Sequence, residues 1–223
     1  MKKESYRNNL PHFQQPGQAY FVTWILKDAV PAKAFSNYTE AMQQLKNQIE
    51  LHKQKKSKKQ VIEKLNKEYY SLRKKYFKAF DDLLAVSKNN ELDLSHPENL
   101  EIMHEALHFW EVKKLKNTAY SIMPNHVHWV LELFQKDEIN KPVYLQDILQ
   151  SVKRHTAREI NLREGKTGSL WQKENFDTTI RDDKHLYNAV EYTLNNPVSA
   201  GLVKNRDEWP GNFLSEDFCL RKE

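Results

Sequence analysis

The chain of 223 residues holds a single cysteine, Cys219, near its C-terminus. One thiol excludes an internal disulfide and suits a reducing compartment. Glycine is scarce, five in all, and no phosphate-binding glycine loop can be drawn from them, which excludes that route to nucleotide hydrolysis. No apolar run approaches the roughly 20 residues that cross a bilayer. Behind the charges of the N-terminus no apolar stretch follows, so no signal peptide is read and a cytoplasmic location without membrane association is expected. Internal repeats and low-complexity linkers are also missing.

What is present is a mild, clustered basic excess. Lys and Arg total 35 against 30 Asp and Glu, a net charge of +5 with a pI near 9.0. Such a balance favours an anionic partner, of which nucleic acid is the commonest. The length suffices for one substantial core and does not demand two domains.

Residues 19–26, aromatic and β-branched, read as a strand. From Asn37 to Val86 the chain changes character: rich in Lys, Glu, Gln, Leu and Tyr, with apolar positions at helical spacing from Ile49 to Leu84. The block Lys53, Lys55, Lys56, Lys58, Lys59 interrupts that spacing and marks a turn. An exposed helical hairpin, residues 37–90, is therefore expected as an insertion within a single domain spanning 1–223. Its lysines fit either a solvated face or a DNA-backbone contact.

A helix is expected from Pro97, capped by Ser95 and running on towards Lys116. Strands follow at Thr118–Met123 and His126–Phe134. Leu145, Ile148, Leu149, Val152 and Ile160 define an amphipathic helix whose other side presents Lys153, Arg154 and Arg158. Residues 171–180 look extended or irregular. A last helix from Asp182 is expected to end or kink at Asn196-Pro197, since the residue before proline disfavours the α region. The order predicts an α+β fold: a ferredoxin-like or RRM-like antiparallel sheet with helices on one face.

The most telling stretch is Pro124-Asn125-His126-Val127-His128-Trp129-Val130-Leu131. Side chains alternate along a strand, so His126 and His128 project together, close enough to share a divalent metal, while Val127, Trp129 and Leu131 turn to the other face. Tyr192 and Asn196, four apart on a helix, also share a face. A metal pair plus a tyrosine suggests phosphodiester chemistry with a covalent protein–DNA link.

Several segments in order resemble a known family. They are Leu10-Pro11-His12, Tyr20-Phe21-Val22-Thr23, residues 76–84 and Met123-Pro124-Asn125-His126-Val127-His128. Leu170-Trp171-Gln172, Ile180-Arg181-Asp182 and Tyr192 to Val203 complete the set. Together they resemble the single-tyrosine HUH transposases, in particular the REP-associated branch. Trp129, where a smaller aliphatic residue is common, and Thr193, where isoleucine is usual, depart from the pattern without removing a reactive group.

The resemblance implies that His126 and His128 bind the metal, Mg²⁺ or Mn²⁺, that Asn196 supplies a third metal-binding side chain, and that Tyr192 is the nucleophile. It implies an endonuclease and transposase that cleaves and rejoins single-stranded or hairpin DNA through a 5′-phosphotyrosine. On the DNA, Lys153, Arg154, Arg158 and Arg181 would meet the backbone. Trp171 and Phe176 would either stack on unpaired bases or pack in the core. Both monomer and homodimer remain open.

Two rivals are weighed. A histidine-triad hydrolase needs a third alternating histidine, and that position is Val130. A non-catalytic RRM-like nucleic-acid-binding module has no need of His126, His128, Tyr192 and Asn196 together.

Overall fold

A computed structural model describes residues 5–7, 11–27, 29–30, 36–86, 92–173 and 175–219. Leu10 and residues 87–90 of the expected insertion lie outside the described residues. The chain divides into two compact units, one of Val30–Asn89 and one of Met1–Ala29 with Asn90–Glu223.

The smaller unit is a helical hairpin of α1 (Ser36–Gln54) and α2 (Lys59–Val86). Its turn falls within the lysine block, where Lys56 takes a positive φ of 50° and Lys53, Lys55, Lys56, Lys58 and Lys59 are all exposed. Mutual repulsion and strong hydration of five ammonium groups oppose burial there, so the chain reverses in solvent. Within α2, Tyr76 and Phe80 stack one turn apart at 6.0 Å, as residues four apart on a helix must.

In the larger unit, β1 (Ser5–Arg7) and β2 (Pro11–Phe13) form a two-stranded ribbon. The main sheet comprises β3 (Ala19–Ile25), β4 (Leu115–Ile122), β5 (His126–Leu133), β6 (Phe176–Thr179) and β7 (Asn212–Leu214). All neighbours are antiparallel, in the order β6-β3-β5-β4-β7. The helices are α3 (Pro97–His108), α4 (Leu145–Arg163), α5 (Asp183–Ser199) and the short α6 (Glu216–Cys219). With α3 joining β3 to β4 and α4 joining β5 to β6, the four strands β6-β3-β5-β4 have the ferredoxin-like arrangement. The α+β class with its antiparallel sheet is as expected, and β7 adds an edge strand.

The expectation of helices on one face needs correction. Tyr20, Val22 and Trp24 of β3 pair with Leu131, Trp129 and Val127 of β5, and this face is covered by α3 and α4. There the Trp171 indole N–H donates to Thr156 of α4 at 2.9 Å, and Asn117 donates to the Leu107 carbonyl of α3 at 3.1 Å. The opposite face, with Phe21, Thr23, His126, His128 and Val130, is covered by α5, whose Val190 and Leu194 pack on Ala119 and Val130. Half of that second face is apolar and would lie in water without a cover, so the sheet is sandwiched.

Three boundaries also differ. Ser95 does not cap α3; its hydroxyl donates to Asp93 at 2.6 Å, and His96 stands at the cap without a side-chain bond. The α3 helix stops at His108 rather than near Lys116. The Trp110 carbonyl then receives the N–H groups of both Lys114 and Leu115 in a turn, and Val112 takes a φ of 56°. Most consequential, α5 passes through Asn196-Pro197 to Ser199. In the last turn proline forfeits one bond, to Thr193, and the helix is closed by two others: Gly201 N–H to Val198 at 3.0 Å and Leu202 N–H to Pro197 at 2.9 Å. Gly201 takes the left-handed φ of 71° that this C-terminal motif requires. Tyr192 and Asn196 thereby stay on one rigid element.

Candidate active site

Pairing of β3 with β5 builds the floor of the site. His128 lies opposite Thr23, and His126 opposite Ile25 at the end of the strand pair. Both histidines are buried, at 2% and 1% exposure. Their Nε2 atoms face each other at 3.1 Å. The outward nitrogens are held: His126 Nδ1 by Asn125 Oδ1 at 2.7 Å, and His128 Nδ1 by the Thr23 hydroxyl at 2.8 Å.

Burial dominates the electrostatics. It lowers the His126 imidazole to about 3, with a hydrogen bond to the Asn196 side chain working the other way. His128 is held well below its ordinary value by burial and, secondarily, by the charge His126 would carry. Both rings are therefore neutral at physiological pH, the state in which imidazole is a metal ligand.

The donor set suits a small divalent ion. Adjacent ligands about 2.1 Å from a metal and at right angles to each other are about 3 Å apart, matching the separation of the two Nε2 atoms. A carbonyl oxygen only accepts, so Asn125 makes His126 Nδ1 the protonated nitrogen and leaves the Nε2 lone pair turned inward. Among the described residues no group of three His, Cys, Asp or Glu side chains is placed to hold a metal. The third donor at hand is the amide of Asn196, whose side chain reaches His126.

The α5 helix forms the roof. Asp182 caps it, accepting the His185 N–H at 2.7 Å. Ala189, Val190, Thr193 and Leu194 are its buried side. Tyr192 is 39% exposed, its ring 5.3 Å from that of His128 and edge-on to Phe21 at 5.6 Å. Phe21 in turn stacks on His128 at 5.7 Å. The structure thus brings the His126–His128 pair together with Tyr192 and Asn196, which lie more than sixty residues further along the sequence.

The six residues considered for DNA separate into two groups. Arg154, Arg158 and Arg181 are exposed, and Lys153 is half-buried, donating to the Gln172 carbonyl at 2.8 Å. Arg158 pairs with Glu159 at 2.7 Å. Lys153 and Arg154 line a groove of about 500 Å³ between α4 and residues 169–171, with Gln150, Lys173 and Asn175. Trp171 and Phe176 are buried. Trp171 packs its ring on Trp24 at 6.1 Å and also lines the groove beside Lys153 and Arg154.

The sequence assigned no role to Thr23, Asn125 or Phe21, although all three lie inside the quoted motifs. Thr23 is set beside His128 by the register of β3 on β5, which no local pattern encodes.

The site defines a class first: a ferredoxin-like sheet with two facing histidines beneath a helix that carries a tyrosine and an asparagine. No family model matches the chain. It is similar to a candidate REP-associated tyrosine transposase of Haemophilus influenzae, 27% identical over 107 residues, covering 46% of this chain and 60% of that protein. A second, uncharacterised Haemophilus influenzae protein is 30% identical over 95 residues, covering 35% and 52%. The chain thus spans between half and two thirds of the curated relatives it matches. Its fold is similar to that of a solved REP-associated tyrosine transposase bound to a REP hairpin. The TM-score is 0.52 at 15% identity, covering 95% of this chain and 82% of the other. Sequence and fold both support the resemblance read from the motifs.

Proposed function

We propose that this chain is a metal-dependent single-strand DNA endonuclease and strand transferase, a transposase of the REP-associated type, with residues 37–90 inserted into one catalytic domain. The observation that carries this reading is the convergence of His126, His128, Asn196 and Tyr192 on one patch of the sheet. The Haemophilus relative, a candidate REP-associated tyrosine transposase, and the neighbour bound to a REP hairpin support the substrate class, hairpin DNA.

His126 and His128 Nε2 and the Asn196 amide would hold a Mg²⁺ or Mn²⁺ ion; imidazole favours Mn²⁺. When bound, such an ion polarises a non-bridging phosphate oxygen and offsets the charge that builds on phosphorus. Tyr192 attacks through Oη: the Oη–P bond forms and the P–O3′ bond breaks. The phenol proton passes to solvent, and the departing 3′ oxygen takes up a proton to leave as a hydroxyl. The 5′-phosphotyrosine conserves the bond for rejoining to another strand, which hydrolysis would not. The α5 helix positions Oη, since its buried side is fixed by Val190 and Leu194 while Tyr192 sits at the open edge. Phe21 limits the tyrosine ring to an edge-on approach. Lys153 and Arg154 in the groove, with Arg158 and Arg181, would track the DNA backbone.

The test is an incubation of the protein with single-stranded, hairpin-containing oligonucleotides from the flanks of its own gene, with Mn²⁺ or Mg²⁺. Denaturing gels are expected to show a protein–DNA adduct that needs metal and is lost in Tyr192→Phe and His126→Ala. An adduct that survives in Tyr192→Phe overturns the assignment of the nucleophile. Binding without any adduct supports the non-catalytic module instead.

A further inference from the structure

The basic excess of the chain is not spread over the molecule. Of 35 Lys and Arg and 30 Asp and Glu, the smaller unit, Val30–Asn89, holds fourteen and six. It therefore carries +8, and the larger unit, with the remaining 21 and 24, carries −3. Affinity for nucleic acid comes largely from lysines and arginines that release counterions from phosphates. The unit with the histidines and the tyrosine brings no net charge of that kind; the inserted hairpin brings all of it.

That charge peaks where the hairpin turns. Lys53, Lys55, Lys56, Lys58 and Lys59 are all exposed. Glu50 and Glu63 approach Lys53 and Lys59 only to 3.8 Å, and among the described residues Lys55, Lys56 and Lys58 have no ion pair. The turn itself is ordered. The Ser57 N–H donates to the His52 carbonyl at 3.0 Å and the Lys56 N–H to the Lys53 carbonyl at 3.1 Å, the paired bonds that close a helix through a left-handed residue. The His52 ring and the Ser57 hydroxyl add a bond across it at 2.9 Å. Lys56 holds the left-handed position, with a φ of 50°, where glycine is the less strained choice. Five ammonium groups are thus kept together on one short turn against their mutual repulsion.

Residues 53–59 include no aromatic or aliphatic side chain, only the five lysines, Gln54 and Ser57. Single strands are gripped by aromatic rings that stack on bases as well as by charge. A lipid surface is held through apolar residues beside the charge. A duplex has its bases already stacked and carries one phosphate per about 1.7 Å of axis, so charge alone binds it. We propose that the turn between α1 and α2 is a docking site for double-stranded DNA, its lysines meeting the phosphate backbone without reading sequence. The choice of DNA rests on the reading of the chain as acting on hairpin DNA, whose paired stem supplies such a duplex.

The test compares the full-length wild type with a variant in which Lys53, Lys55, Lys56, Lys58 and Lys59 are each replaced by Gln, its helix content checked by circular dichroism. Binding of a short blunt duplex, and of a single strand of equal length without self-pairing, is measured across a range of salt. On the duplex, the slope of log affinity against log salt is expected to fall by about 3, against a ceiling of about 4.5 for five phosphate contacts. On the single strand it is expected to stay unchanged. Lys56→Gly suits the left-handed turn and so separates charge from folding; it should lower the duplex slope by about 0.9. Replacing all five lysines by Arg should keep the wild-type slope. An unchanged duplex slope in the Gln variant overturns the proposal, as does a wild type that binds no duplex. An equal fall on the single strand or on polyglutamate also overturns it, marking a general anion or acidic-protein contact. Loss of the Tyr192-dependent adduct reading with a lysine-dependent duplex slope removes the proposed function and leaves the docking site. An intact adduct with no lysine effect removes only the docking site.

Discussion

The two faces of the central sheet put buried polar atoms to opposite uses. On the face under α3 and α4, several polar tips end on partners in other elements, while the buried Trp24 indole N–H has none among the described residues. Trp129 Nε1 donates to Asn117 at 2.7 Å, Trp171 Nε1 to Thr156 at 2.9 Å, and the Tyr120 hydroxyl sits 2.8 Å from both His104 and His108. Burial, with the nearby Glu111 carboxylate, raises the Tyr120 phenol and keeps it neutral. On the face under α5, His126 and His128 turn Nε2 atoms towards each other beside a partly exposed tyrosine. One face ties its polar groups into packing; the other gathers them next to a partly exposed tyrosine. Stability and chemistry should therefore separate by face.

Tyr192→Phe tests the separation most severely. Adduct formation on gels should fall below detection, while the melting free energy stays within about 1 kcal/mol of wild type, since one partly exposed hydroxyl is lost. Trp129→Ala should do the reverse. Emptying a fully buried indole costs about 3–5 kcal/mol and leaves Asn117 without its donor, readable as a lower denaturant midpoint. A stability loss for Tyr192→Phe as large as that for Trp129→Ala would break the comparison.

Acid should attack the histidine face. The folded protein resists protonating His126, held at about 3 by burial, while the unfolded chain takes up that proton near pH 6.5. Between these values the unfolded state binds more protons, so stability is full above about pH 6.5 and falls as pH drops, by up to about 1.4 kcal/mol per pH unit for this group. Chemical denaturation from pH 7 to 5 should show that slope, and His126→Gln should remove the His126 share of it while His128 keeps its own. Mn²⁺ at one hundred times its dissociation constant should raise stability by about 2.7 kcal/mol at pH 7, and His126→Ala should remove that gain.

The smallest effects lie at the edges. Asp182→Ala, which leaves the His185 N–H at the start of α5 without its cap, should cost about 1 kcal/mol in urea unfolding. Arg154→Ala should leave stability within about 0.5 kcal/mol, yet reduce the salt slope of single-strand DNA binding by about 0.7. An unchanged slope would remove Arg154 from the DNA path.

The sequence by itself carried the local features. Alternation along residues 126–131 put both histidines on one face, helical spacing joined Tyr192 to Asn196, and the lysine block marked the turn at Lys56. These are legible because side-chain direction follows from the backbone period alone. The Asn196-Pro197 pair misled because the bias against helix before proline is weak beside the closing bonds at Gly201, which come from the packed C-terminal turn. Tertiary structure alone decided which helix roofs the histidines and that Trp171 lies in the core. It alone set the threonine of β3 across from His128, since strand register and helix placement arise from burying two apolar faces at once, a condition no short stretch of sequence contains.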